Sequence, residues 1–339
     1  MNKIPVLDLT QLEVLTNMIK DDPENVDLQL KKISQKNVEH YKLTTKGFGN
    51  LGDVDISRTN PYFGFRVLEI NPSELCNRTC YFCPRVDPDV YPNQNLHMSL
   101  ETAQALADDV NKYDYRGWIA FSGFGEPLLA NNILEMFSMF KDRNIILFTN
   151  GDKIPSWYTI DDLIDAGVKN LYVDVYDGVE DYLRWKEYYN EYKDKIAMTI
   201  SPRFIQTYGW VNRAGATIFN KEYVSKYSWC SIPLFKLFVN WDGRLNLCCH
   251  DWLQNASFDY LKENVRDTPL SEILSSKSFF DMRKDMLYNN RNKHSPCNKC
   301  DVAPDEHEKY KYPEKLPWKD YEEYVNDRSE QNIRRVENG

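Results

Sequence analysis

RVLEINPSELCNRTCYFCP, residues 66–84, carries an apolar stretch (66–70) that reads as a strand and runs directly into a cysteine-rich loop. The spacing is Cys76-x3-Cys80-x2-Cys83. Three thiolates this close together can hold three irons of a cubane cluster and leave the fourth iron open. The alternative is a zinc ion closed by a distant fourth ligand such as His97 or Glu74, since structural zinc sites use four.

Outward from this loop the chain alternates strand and helix. WIAFSG (118–123), IILFTN (145–150), NLYVDVY (170–176) and IAMTI (196–200) read as strands. Helical spacing spans 99–113, with Ser99 as N-cap, then 131–143, 158–166 and 179–192. Strands separated by helices at this spacing predict right-handed βαβ units and a parallel sheet. A weaker sixth strand is expected near 216–219. The expected fold class is therefore α/β, a partial (β/α)6 barrel of parallel strands.

Each later strand ends in a motif. Ser122-Gly123-Phe124-Gly125-Glu126-Pro127 follows the second strand, Thr149-Asn150-Gly151 the third, and Asp174 and Asp177 flank the end of the fourth. All lie at C-terminal strand ends, the face where barrels of this type build their sites. Together with NPSELCNRTCYFCP, these stretches resemble the radical S-adenosylmethionine (SAM) family over residues 66–220 in fold and 66–310 in motif. The resemblance implies that Cys76, Cys80 and Cys83 ligate a 4Fe–4S cluster whose open iron binds SAM. It further implies SAM contacts from Ser122, Gly123, Gly125, Glu126, Pro127 and Asn150. Phe82 would flank the adenine, and Asp174 and Asp177 would meet the ribose. Phe124 departs from the family, which has glycine there.

After Tyr227 the pattern changes. PLFKLFVNWDGRLNLCC reads as a β-hairpin turning at Asp242-Gly243, residues 269–287 are helical, and PCNKC lies in a polar loop. Cys230, Cys248, Cys297 and Cys300 supply four ligands, which zinc or an iron–sulfur cluster could equally use. The arrangement is similar to the shortened SPASM (twitch) domain, which implies one auxiliary 4Fe–4S cluster and two clusters in all. The Gly-x4-Cys spacing selects Cys248 as ligand and leaves Cys249 over, as packing or as a hydrogen-atom donor. The NRAG stretch at 212–215 resembles one found in relatives with a single auxiliary cluster. In the aminocyclitol dehydrogenase branch an arginine at the matching place meets substrate, which nominates Arg213.

The expected organisation is an N-terminal extension over 1–62, the barrel over 63–225, the small C-terminal cysteine-rich hairpin-plus-helix domain over 226–310 and a charged tail over 311–339. Net charge is −9, with 42 basic against 51 acidic residues, which argues against a nucleic-acid binder. No signal peptide or membrane span is legible, so a cytoplasmic protein without membrane partners is expected.

Three functions compete. The first is a radical SAM enzyme whose 5′-deoxyadenosyl radical takes a hydrogen atom from a sugar, aminocyclitol or related polyol. Oxidation to a ketone would pass an electron to the auxiliary cluster, whereas epimerisation would use Cys249 as hydrogen donor. The second is a peptide- or protein-modifying enzyme, and the third a zinc-stabilised adaptor. The family resemblance also implies an external one-electron reductant of flavodoxin or ferredoxin type.

Overall fold

The computed structural model of the 339-residue chain describes residues 60–205, 211–217, 223–287, 290–302 and 322–323. The expected N-terminal extension lies almost wholly outside the described residues, as does most of the charged tail.

Four βα units and a fifth strand open the described fold. They are β1 (Val67–Ile70), α1 (Leu100–Lys112), β2 (Trp118–Phe121), α2 (Ile133–Met139), β3 (Asn144–Thr149), α3 (Ile160–Asp165), β4 (Val168–Val175), α4 (Val179–Tyr192) and β5 (Ala197–Pro202). Local chemistry fixes the helix starts. The Ser99 side chain accepts the Thr102 amide ahead of α1, and Thr159 and Asp162 form a reciprocal capping box on α3. A one-turn helix α5 (Ile232–Phe235), β6 (Lys236–Val239), β7 (Leu245–Asn246), α6 (Leu270–Leu274) and α7 (Lys277–Leu287) follow. Among the described residues no helix is long and apolar enough to cross a membrane.

The strands form one sheet in the order β5-β4-β3-β2-β1-β6-β7. Every pairing is parallel except β6 with β7. Alternation along the strands divides the residues between two faces. Leu68, Ile70, Ile119, Phe121, Ile145, Leu147, Leu171 and Val173 join the main core with the helices. Val67, Ala120, Ile146 and Tyr172 pack with Trp118 and Phe148 on the inward face of the partial barrel.

The sixth parallel strand is not where the sequence suggested. Residues 213–215 make a short 3-10 turn, 216–217 continue it as irregular chain, and 218–222 lie outside the described residues. The sixth strand is β6, the first arm of the predicted hairpin. It pairs with β1 on the side away from β2, Val67 opposite Lys236 and Glu69 opposite Phe238. The hairpin is correct, with Val239 opposite Leu245. Gly243 adopts φ +87 at its turn, and a Cβ there would come within 2.7 Å of Asn264 Oδ1. KLFV serves both the hairpin and the parallel sheet, a double use that a one-dimensional pattern cannot reveal.

Candidate active site

The cysteine loop leaves the C-terminal end of β1 and is fastened at several points. Asn93 holds Cys76 twice, accepting its amide at 2.9 Å and donating to its carbonyl at 2.8 Å. The Cys83 amide donates to the Cys80 carbonyl at 2.9 Å, closing a tight turn. Beneath the loop the buried Glu74 carboxylate accepts from Arg85 Nη2 (2.8 Å), Tyr91 Oη (2.8 Å) and Asn71 Nδ2 (2.9 Å). Arg85 also donates to the carbonyls of Phe124 and Pro92. A buried ion pair with its remaining groups hydrogen-bonded is the form of such pairs that a fold tolerates. Glu74 is thus committed to structure. His97 is engaged too, by Ser73 Oγ at 3.0 Å and Asn95 Oδ1 at 2.7 Å. The two side chains considered as a fourth zinc ligand both have other partners.

Burial first, then the Glu126 carboxylate and the Cys83 thiol, push Cys76 up to about 11, and burial with the Cys83 and Cys76 thiols pushes Cys80 up to about 12. Burial likewise raises Cys83. Such thiols stay protonated in water at neutral pH and become thiolates when a metal takes the proton's place. Among the described residues no three or more His, Cys, Asp or Glu side chains are arranged to hold a metal ion. The fit to iron therefore rests on the donor chemistry: three mutually sensing thiols on a fastened loop.

The GFGEP loop packs on this one. A Cβ on Gly125 would lie 2.1 Å from the Ser73 carbonyl oxygen and 2.6 Å from that of Leu75, so the glycine serves contact with the cysteine loop's backbone. The buried Glu126 carboxylate accepts from the Leu128 amide (3.1 Å), Thr149 Oγ1 (2.7 Å) and the Asn150 amide (2.9 Å). It thereby joins the GFGEP and TNG loops, and burial raises it to about 7. Pro127 begins a short 3-10 turn, and Asn150 donates to Asn77 of the cysteine loop at 3.0 Å. Phe124, the departure from family pattern, has a packing role. Its ring meets Trp252 at 4.3 Å and Phe238 at 5.0 Å, wedging the loop against the hairpin. Phe82 stacks on Tyr176 at 6.1 Å. Both aspartates have arginine partners: Asp174 pairs with Arg203 at 2.6 Å and Asp177 with Arg78 at 2.5 Å. Arg78 also grips Asp152 through two hydrogen bonds, at 2.7 and 2.5 Å, latching the cysteine loop to the loops after β3 and β4.

The second cysteine group lies in one part of the core. Cys230, Cys297 and Cys300 are buried in the main core, and Cys248 packs against it. After burial, the Cys248 thiol is raised by Cys249, Cys297, Cys300 and Cys230. Asn212 secures the loop that carries two of these residues. Its amide donates to the Asp301 carboxylate at 3.0 and 3.1 Å, and its side chain to the Lys299 carbonyl at 2.7 Å. Next to it Arg213 and Ala214 take positive φ, 48 and 54, a conformation uncommon outside glycine.

Cys249 follows Cys248 in the turn after β7 and packs in a different apolar cluster, although after burial it is the group that acts most on Cys248. Cys249 lies against the cluster of Phe124, Ala216, Phe238 and Trp252, which Cys83 also touches. Burial raises its pKa, while the charges of Lys236 and Arg213 lower it and that of Glu69 raises it. Arg213 also lowers Cys83, and its Nη1 lies 3.4 Å from His250 Nδ1. Arg213, Cys249, Cys83, Glu69 and Lys236 therefore share one inward region between the two cysteine groups.

Two of these residues escaped sequence reading. Glu69 is buried on the inward face of β1, accepts Ser122 Oγ at 2.6 Å and pairs with Lys236 of β6. The available signal was a charge inside each of two short strand-like runs, VLEI and KLFV, because buried charges are seldom incidental. Ser122 is turned toward this carboxylate. Asp251 is buried and accepts the Asn255 amide at 3.0 Å.

Comparison with known proteins places the two regions in known families. The sequence model of the radical SAM superfamily matches residues 70–200, and that of the SPASM iron-sulfur cluster-binding domain matches 230–301. An S-adenosyl-L-methionine-dependent 2-deoxy-scyllo-inosamine dehydrogenase from Niallia circulans is 24% identical over 267 residues, covering 73% of this chain and 98% of the relative. The crystal structure of BtrN in complex with AdoMet and 2-DOIA superimposes with a TM-score of 0.59 at 22% identity, covering 70% of this chain and 94% of that one. BtrN in an open conformation gives 0.51 at 21% identity, over 70% and 92% of the two chains.

Proposed function

From the premise that this chain is a radical SAM enzyme with a C-terminal SPASM iron–sulfur domain, we propose that it oxidises a secondary alcohol of an aminocyclitol or similar polyol to the ketone. Cys76, Cys80 and Cys83 would hold the SAM-binding 4Fe–4S cluster, and Cys230, Cys248, Cys297 and Cys300 an auxiliary one. When bound, these groups supply a 5′-deoxyadenosyl radical for hydrogen abstraction and an acceptor for one electron. An external flavodoxin- or ferredoxin-type protein would supply the reducing electron.

The observation that carries the reading is the shared inward region of Arg213, Glu69 and Lys236 between the two cysteine groups. Its charged and hydrogen-bonding groups suit a hydroxyl- and amine-bearing small molecule. Arg213 would orient the substrate through its donors. Glu69, steadied by Ser122 and Lys236, would take the hydroxyl proton as the carbon is oxidised. The dehydrogenase named above, nearly all of whose length is matched, supports the cyclitol class.

The test is a substrate panel of 2-deoxy-scyllo-inosamine, other cyclitols, amino sugars and control peptides. It is scored by substrate-dependent release of 5′-deoxyadenosine and by a product two mass units lighter. Release only with peptides would reject the proposal.

One observation favours a second reading. Cys249 faces the same inward region, where a thiol could return a hydrogen atom to the substrate carbon. The product would then be an epimer of unchanged mass carrying solvent deuterium.

A further inference from the structure

Arg291 is buried behind the auxiliary cysteines, 1% exposed. Its hydrogen-bond partners are neutral. Nη1 donates to the carbonyls of Trp229 at 3.3 Å and Val302 at 3.0 Å, and Nη2 to that of Cys300 at 3.2 Å. The guanidinium carbon lies 5.8 Å from the centre of the Tyr227 ring. Nε is buried and, among the described residues, has no acceptor. Among the described residues no carboxylate pairs with this side chain either.

An arginine does not shed its proton in a protein. The fold therefore buries a full positive charge among carbonyl dipoles, the Tyr227 ring and the Cys300 thiol, an arrangement that costs heavily unless an anion completes it. The nearest candidates for that anion are the four cysteines. Trp229 and Cys300, whose carbonyls Arg291 grips, are respectively next to Cys230 and one of the quartet itself. After burial, the groups that act most on Arg291 are Cys230, Cys300, Cys297 and Cys248, in that order. Four thiolates around a cubane give a centre with net negative charge, and each added electron makes it more negative. A fixed cation at short range favours the reduced form, and net charge is one of the quantities that set the potential of such centres.

We propose that Arg291 is the built-in counter-charge of the auxiliary iron–sulfur centre and raises its midpoint potential, fitting it to accept the electron released by the substrate. The inference rests on the reading that Cys230, Cys248, Cys297 and Cys300 hold such a centre. The electron balance is simple. Oxidation of the alcohol removes one hydrogen atom from carbon and one proton from oxygen, and the remaining electron reduces the auxiliary centre by one. A centre with too low a potential would refuse that electron. Arg291 is a positioning residue in this scheme, since it touches the ligands' backbone and not the reacting atoms.

The test uses the full-length chain with Cys76, Cys80 and Cys83 changed to Ala, so that only the auxiliary centre assembles, and follows its reduction by electron paramagnetic resonance during a potentiometric titration. In that background Arg291→Met should move the midpoint negative by at least 59 mV, a tenfold change in a one-electron equilibrium. Arg291→Lys should stay nearer the parent. If Arg291→Met fails to hold iron, Arg291→Gln compared with Arg291→Lys is judged by the same criterion. A merely structural arginine would alter iron retention or melting without a charge-ordered series of midpoints. Midpoints unchanged in the neutral variants at matched iron content overturn the proposal and leave the two-centre reading standing. A parent that takes up no iron overturns both.

Discussion

Cys248 and Cys249 are consecutive residues that pack into different clusters just past the end of β7. Cys248 belongs with Cys230, Cys297 and Cys300, while Cys249 lies with Phe124, Phe238 and Cys83. Replacing Cys249 by Ala should leave iron content and polyol oxidation within about twofold of wild type, because oxidation needs no hydrogen donor. Abolished product, together with solvent deuterium in the wild-type product, would establish epimerisation instead.

Two cysteine groups predict about eight irons per chain after anaerobic reconstitution, and about four once Cys76, Cys80 and Cys83 are Ala. The depleted variant should release no 5′-deoxyadenosine under dithionite. Iron and sulfide analysis beside nucleoside chromatography checks both statements. Stoichiometric zinc with no iron uptake would refute the cluster assignment.

Glu69→Gln keeps the shape of the inward region and removes its carboxylate. Product formation should fall by about 10²-fold or more, the usual scale for loss of a general base. SAM cleavage should persist, so 5′-deoxyadenosine would accumulate out of proportion to ketone. Equal losses of both would instead point to a folding or substrate-binding role.

Arg85→Met leaves the buried Glu74 carboxylate without its cationic partner. Breaking a buried pair from one side costs about 3–5 kcal/mol. The variant should melt well below wild type, with Cys76 and Cys83 exposed earlier to thiol reagents. An unchanged melting temperature would show that the Tyr91 and Asn71 hydrogen bonds suffice.

Glu126 sets a pH dependence of opposite sign to the usual carboxylate. Burial raises it from 4.5 to about 7 in the folded protein. Between those values the unfolded chain has released the proton that the folded chain keeps, so stability falls as pH rises through that window, by about 3 kcal/mol in all, and is flat above it. Denaturant melts from pH 4.5 to 8 should show this slope, and Glu126→Gln should remove it. A slope unchanged in the variant would assign it to other groups.

The barrel's alternation was legible because each of β1–β4 is a short strand-like run followed by a motif, and because Ser99 caps its helix as its chemistry predicts. The cysteines were legible through spacing alone. The partners were not. Nothing in the sequence says that Asp177 meets Arg78, 99 positions away, or that Lys236 meets Glu69, since both depend on which strands become neighbours. Arg291 sits in the polar run YNNRNKH, which reads as surface. Burial decided its character, and burial of an isolated polar run has no periodic signature.

The strand Lys236–Val239 is bonded to β1 along one edge and to β7 along the other. The loop of Cys76–Cys83 springs from the first of these neighbours and the Cys248–Cys249 pair follows the second. Between two such neighbours the chain has pleat rather than linker, and adjacent strands stand about 4.8 Å apart. The strands that lead into the two cysteine segments are therefore tied to one shared neighbour, like two ribs meeting one keystone.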